Sequence, residues 1–272
     1  MADTKIEWTD KSWNPATGCT PISEGCANCY ARRMARRLAG RCGYPSGNAC
    51  FSVTMHPEKM GDPLRWRKPR KVFVCSMGDL FHGEVGWENI AAIFGVMAAC
   101  PQHTFQVLTK RPDNMLAWFK FAESLPMKQL DPMRNGAPII GYLAEYALRA
   151  TKGAVNPFAN GEFPSWPLPN VWLGISAENQ GRADERTALL QQTPAAVRFV
   201  SVEPMLGPIY SMPLDGIDWV ICGAETGPGA RLMAPGWARH LRDQCGNMGV
   251  PFFFKKWSKG LDGGDMPREF PR

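Results

Sequence analysis

From residue 71 onward the chain repeats one phrase: a short β-branched and aromatic run, a polar tip, then an amphipathic helical stretch. The apolar runs predict strands over 71–76 (KVFVCS), 104–110 (TFQVLTK), 171–177 (VWLGISA), 197–203 (VRFVSVE), 218–225 (DWVICGAE) and 251–257 (PFFFKKW). Runs this continuous are apolar on both faces, which points to a parallel sheet covered on both sides. Between them, Ile90, Ile93, Phe94 and Met97 recur at helical spacing, and Trp237, Leu241, Cys245 and Met248 do so later. This alternation predicts an α/β fold of βα units with right-handed crossovers. Six strands fit a partial or complete (βα) barrel, with an open doubly wound sheet as the alternative.

The phrase is broken twice. Residues 1–50 form a cysteine-rich loop and a first helix, and residues 121–170 are rich in Pro, Gly and Asn with one helical piece at 143–149. The second stretch is expected to be an irregular insertion or lid over one face of a single barrel-like domain spanning 1–272. In the first helix, Tyr30, Met34 and Leu38 share one face, with Arg32 and Arg36 roughly opposite.

The strand tips carry polar side chains: Ser76 and Asp79, Thr109 with Lys110 and Arg111, Ser176 with Glu178 and Asn179, Ser201 with Glu203, Glu225, and Lys255 with Lys256. Charges at the ends of apolar strands must be paired or face a wet site, because burying them alone is costly. Ligands of parallel βα folds bind at these carboxyl ends. Glu203, Lys110, Glu225 and Lys255 are therefore candidate catalytic groups. Lys110, Arg111, Lys255 and Lys256 are candidates to hold a substrate phosphate, and the glycine-rich run 223–229 allows close backbone approach to a ligand. His82 and His103 read as structural.

Composition narrows the class. With 44% apolar and 21% charged residues in 272, the chain reads as an ordinary globular protein. No apolar run approaches the roughly 20 residues of a membrane span, and no secretory signal is visible, so a cytoplasmic location is expected. Nine cysteines there suggest metal binding, catalysis or burial rather than disulfides. Between Tyr30 and Val72 eleven basic residues face two acidic ones, Glu58 and Asp62. Such a segment suits a nucleic acid, and Trp66, set among Arg65, Arg67 and Lys68, suits either base stacking or burial under the barrel.

Cys19, Cys26 and Cys29 carry the strongest signal. They are set among Gly18, Pro21 and Gly25 and followed at once by a helix. Glycines let backbone amides approach cluster sulfurs, and a helix N-terminus favours a thiolate. Three thiols hold a [4Fe-4S] cluster with one iron open, whereas structural zinc closes four ligands. A zinc site completed by Cys42 or Cys50 remains the alternative, giving a nucleic-acid-binding protein without catalysis. A structural Fe–S protein with a hydrolytic barrel mouth is a third reading.

The stretches from Trp13-Asn14-Pro15 to Cys29-Tyr30, Ser76 to His82, Phe105 to Pro112, Ser201 to Pro204 and Phe252 to Lys255 resemble an uncharacterised phage-protein family marked by the three-cysteine motif. That family is similar to radical S-adenosylmethionine (radical SAM) enzymes. Their usual C-x3-C-x2-C followed by an aromatic is here C-x6-C-x2-C followed by Tyr30, so the first loop is three residues longer. The resemblance implies a radical-SAM type barrel and S-adenosylmethionine on the open iron. It also implies a reductase or flavodoxin-type electron donor, and radical modification or repair of a nucleic-acid component in the host cytoplasm. Met77, Gly78 and Asp79 stand where such enzymes carry Gly-Gly-Glu, with Ser176, Ser201 and Gly223 as further expected cofactor neighbours.

Overall fold

The computed structural model describes residues 4, 6–124, 138–154 and 165–271. Seven strands form one parallel sheet: β1 (Lys11–Trp13), β4 (Lys71–Val74), β5 (Thr104–Thr109), β6 (Val171–Ser176), β7 (Val197–Val202), β8 (Trp219–Cys222) and β9 (Phe252–Phe254). Two short strands, β2 (Ala16–Thr17) and β3 (Thr54–Met55), pair separately and antiparallel. The helices are α1 (Tyr30–Leu38), α2 (Trp87–Ala98), α3 (Pro112–Ser124), α4 (Pro138–Ala150), α5 (Gln180–Gln191) and α6 (Pro235–Met248).

The sheet order β1-β4-β5-β6-β7-β8-β9 never reverses. Each strand is laid beside its predecessor, so crossovers of one hand all fall on one face. A doubly wound sheet needs a reversal and is thereby ruled out for these strands. The sheet curls into a half-barrel instead, the partial form of the expected (βα) barrel.

All six expected strands are present, each shortened at its polar end. The seventh, β1, is only Lys-Ser-Trp and has no apolar run to announce it. It exists through its pairing with β4, in the register Lys11 to Val72 and Trp13 to Val74.

Side chains alternate between the faces as strand geometry requires. Val72, Val74, Val107, Leu173, Ile175, Val200, Val220 and Cys222 join the core under the helices. Phe73, Phe199, Trp219, Ile221 and Phe253 point to the concave side, where Trp8 joins them. Trp8 lies 4.8 Å from Phe73 and Trp219 stacks at 5.4 Å on Phe270, so both chain ends plug the floor of the half-barrel. Gly174 makes that floor possible: a Cβ there would stand 2.4 Å from the Phe199 ring.

Two stretches outside the sheet complete the fold. In α1 the buried residues are Ala31 and Ala35, whereas Tyr30 and Met34 are exposed on the other side. The small side chains let the helix lie close to its neighbours, and Tyr30 is turned toward the strand tips. In the 121–170 segment, α4 docks on α2 so closely that a Cβ at Gly95 would be 2.3 Å from the Leu143 carbonyl. The described part is thus an outer-layer helix. Residues 125–137 and 155–164 lie outside the described residues, and the lid expectation falls there.

Gly174→Ala is expected to lower stability by about 1–3 kcal/mol, the usual cost of overpacking. Gly83→Ala, which meets nothing within 4 Å, is expected to stay within about 0.5 kcal/mol. Urea denaturation of the two variants checks the difference.

Candidate functional site

A cavity of about 460 Å³ opens at the carboxyl ends of the strands. Its walls include Cys19, Cys26, Cys29, Gly78, Asp79, Lys110, Ser176, Ser201, Glu203, Glu225 and Lys255. Residues expected to meet from seven separate stretches of sequence thus share one space, of the size that takes a small-molecule ligand. Its lower wall is apolar, formed by Trp8, Phe73 and Leu108. Two expected residues stand back from it. Met77 contributes backbone, its carbonyl accepting from Gly18 N at 3.0 Å. Gly223 lies behind Glu203 and Lys255, 3.3 to 3.5 Å from where its Cβ would be.

The cysteine loop spans the tips of the strands. Gly18 has φ +87°, and a Cβ on it would be 2.1 Å from the Ser52 carbonyl oxygen, so only glycine fits before Cys19. Gly18 bridges to Gly78 beyond β4, and Cys19 N donates to the Phe51 carbonyl at 3.1 Å. Cys26 closes a short 3-10 turn over Glu24–Cys26, and Cys29 directly precedes α1. On the far side Asn28 donates to Glu225 and to the Gly229 carbonyl, both at 2.9 Å, and Arg33 reaches the Thr226 carbonyl.

The thiols differ in their surroundings. Burial, with Asp79 nearby, pushes Cys19 up to about 12. Burial also acts on Cys26, but the Ile22 and Ser23 backbone amides and the charge of Lys110 outweigh it and lower its pKa. Among the described residues, no three His, Cys, Asp or Glu side chains are gathered closely enough to hold a single metal ion. Cys42 is exposed and Cys50 buried.

The carboxylates around the cavity are already engaged. Glu178 is wholly buried between Lys110 and Arg186, with Arg186 Nη1 at 3.1 Å. It also accepts from Ser23 Oγ at 2.7 Å. Gly25 lies so close that a Cβ would be 2.3 Å from the carboxylate. Burial would raise the pKa of Glu178, but the two cations hold it below the ordinary value. Asp79 accepts from Thr109 Oγ1 at 2.7 Å, Phe81 N at 3.0 Å and Lys110 N at 3.1 Å, so both of its oxygens serve the strand tips. Glu225 accepts from Asn28 and from Arg231, whose Nε stands at 2.9 Å. Burial opposes its charge, yet these bonds hold its pKa down to about 2.

Glu203 and Lys255 form the remaining pair, with Nζ at 2.8 and 2.6 Å from the two carboxylate oxygens. Tyr30 is 47% exposed as a residue, but its hydroxyl turns inward and donates to the Ser76 carbonyl. Burial there raises its pKa, with Cys29 and Glu203 adding to the effect. His82 braces the loop, 2.8 Å from Thr20 Oγ1, and His103 meets the Pro63 carbonyl at 3.1 Å. Both imidazole pKa values are lowered by burial, consistent with structural roles.

The partners Arg186, Arg231 and Asn28 were not singled out in the sequence. Arg186 alone had a local signal, eight residues after Glu178 on the following helix.

The basic segment 30–72 does not form one surface. Arg32, Arg33, Arg36 and Arg37 ride on α1 beside the cysteine loop, whereas Arg67, Lys68, Arg70 and Lys71 lead into β4 at the opposite end of the sheet. Trp66 is partly buried against the core, 5.7 Å from the His103 ring. Burial under the barrel is therefore its role.

The chain is thus a mixed α/β protein with a curled parallel half-barrel sheet, a charged cavity at its strand ends and a three-thiol loop across them. The chain belongs to the family described as Protein of unknown function (DUF5131), whose profile matches residues 3–264. No curated protein and no solved structure matches the chain. Among the described residues no helix is long and apolar enough to cross a membrane.

Glu178→Gln leaves Lys110 and Arg186 without their anion and is expected to cost about 3–5 kcal/mol, read by urea denaturation. The depressed pKa of Glu225 has its own pH signature. Its ionised form stabilises the fold above the ordinary carboxylate value of 4.5, and that stabilisation is lost as pH falls toward about 2. Glu225→Gln should therefore flatten the stability-versus-pH curve in that acid window, as followed by thermal melts.

Proposed function

We propose that this chain is a radical SAM-type enzyme. In this reading Cys19, Cys26 and Cys29 hold a [4Fe-4S] cluster, and S-adenosylmethionine is cleaved reductively to modify or repair a nucleic-acid component. The observation that carries the reading is the meeting of all three thiols of the C-x6-C-x2-C loop in one cavity at the carboxyl ends of a parallel half-barrel. When bound, a cluster held by three thiolates keeps one iron open to the cofactor and supplies the electron that splits the sulfonium.

The chain's own groups then have separable tasks. Phe73, Leu108 and Trp8 keep water from the lower wall, which protects a reactive species. Ser176 and Ser201 are register partners on neighbouring strands, and both line the cavity. Lys255 Nζ bonds both carboxylate oxygens of Glu203, and the two side chains line the cavity where they can meet a ligand. Asp79 holds Thr109 and Lys110 in place, which favours a positioning task over direct contact with the methionine amino group. The α1 arginines beside the thiol loop provide the charge for a polyanionic substrate.

Anaerobic reconstitution with iron and sulfide, then dithionite reduction with S-adenosylmethionine, should yield 5′-deoxyadenosine. Cys26→Ala should abolish it. A protein that binds only zinc under these conditions would overturn the reading. The substrate class has a separate test. Replacing Arg32, Arg36 and Arg37 by Gln should lower the slope of log binding constant against log salt for a short oligonucleotide by about one per lost phosphate contact. Arg67→Gln with Lys68→Gln should leave that slope unchanged, and the reverse pattern would remove the nucleic acid from this mouth.

A further inference from the structure

Two donors on residues of the cavity wall have no hydrogen-bond partner among the described residues, Trp8 Nε1 and Arg111 Nη1, and only the second carries a charge. Arg111 follows β5, is 7% exposed and lines the cavity beside Cys19. Its Nη2 donates to the Thr20 carbonyl at 3.0 Å and to Thr20 Oγ1 at 2.9 Å. His82 braces the same hydroxyl at 2.8 Å and takes the Glu84 backbone amide on Nδ1. The guanidinium is thereby held in one orientation by groups on two loops. Its Nη1, however, is buried with no hydrogen-bond partner among the described residues. Asp79 Oδ2 is 4.0 Å away, which is beyond a hydrogen bond and leaves that carboxylate serving Thr109 and Lys110.

The other cations of the wall differ from it. Lys110 is taken by Glu178, and Lys255 by Glu203. Lys256 is exposed and free to meet water. A buried guanidinium that is fixed on one side and on the other has only the Asp79 carboxylate at 4.0 Å, with no hydrogen bond, has a need for an acceptor, since water cannot supply it cheaply. Arginine is also permanently charged, so the acceptor it suits best is anionic.

We infer that Arg111 Nη1 is an oxyanion subsite of this cavity, which binds the carboxylate or phosphate group of the molecule held there. Asp79, 4.0 Å from the same nitrogen, tunes the preference toward a singly charged group over a dianion. The subsite narrows the general phosphate-holding role first assigned to four cations to the one whose hydrogen bonds are unspent. It holds whether or not a cluster is bound, so its failure and that of the radical reading are distinguishable.

The test uses the full chain without reconstitution, titrated with sodium acetate, dimethyl phosphate or inorganic phosphate against sodium chloride at matched ionic strength. Binding is read from the thermal midpoint and from the guanidinium resonances of 15N-arginine-labelled protein. A saturable rise in midpoint, with a shift of one buried guanidinium, is the expected result. Arg111→Gln should weaken it by about ten- to hundredfold, the range of a hydrogen bond to a charged group, and Arg111→Lys should retain part of it. Response to acetate alone identifies a carboxylate site, and response to the phosphate probes alone a phosphate site. Where Arg111→Gln does not fold, the labelled wild-type protein answers by itself, because an unshifted Arg111 resonance at saturating anion overturns the inference. An equal response of Arg111→Gln and wild type overturns it as well.

Discussion

Glu178 has no contact with solvent, and its charge is tolerable only while Lys110 and Arg186 face it. Removing a carboxylate from water costs several kcal/mol, which is recovered only through good geometry and full hydrogen bonding. That requirement binds together three parts of the chain that are remote in sequence. Lys110 fixes the tip of β5, Arg186 fixes the helix after β6, and Ser23 brings in the cysteine loop. Gly25 is pressed against the same carboxylate because no larger residue fits. Together with the Gly18–Gly78 bridge and the Asn28 and Thr20 contacts, this buried charge ties the loop that carries the thiols to the cavity.

The same logic separates polar groups that hold the site from those available to a ligand. Asp79, Glu178 and Glu225 accept from backbone amides, hydroxyls or guanidinium groups inside the protein. They shape the cavity and keep their charges by doing so. Glu203 and Lys255 are bonded to each other yet remain partly open, so they can exchange that bond for one to a ligand. Arg111 retains a donor with no hydrogen-bond partner among the described residues. A site with many charged residues is thus chemically sparse, which suits selective recognition better than broad attraction.

Much of this arrangement was legible in the sequence, for identifiable reasons. Strands such as 171–177 and 197–203 are continuous apolar runs, and their polar tips could be assigned to one end because parallel strands share a direction. The thiol loop was visible from its spacing and glycines. Strand β1 was not, because three residues carry no period and its identity comes from the register with β4. The packing face of α1 was not announced either, because periodicity counts large apolar residues, whereas close packing selected Ala31 and Ala35. The partners of the buried carboxylates were hidden for a different reason. Arg231 and Asn28 meet Glu225 through the folding of two loops, and no local pattern encodes such a meeting.

The basic segment shows how far a charge count can mislead when the chain turns back on itself. Arg67, Lys68, Arg70 and Lys71 precede β4 and so lie at the amino ends of the strands, where Lys71 covers the Phe270 ring at 3.6 Å. Their neighbourhood is the aromatic floor of Trp8, Trp219 and Phe270. The α1 arginines lie instead next to the thiols, and Arg33 is already committed to the Thr226 carbonyl over Gly227. Repulsion among so many like charges is relieved by this separation to opposite ends of the sheet. The charge left near the mouth is smaller than the sequence suggested, but it stands beside the loop where the chemistry is proposed to occur.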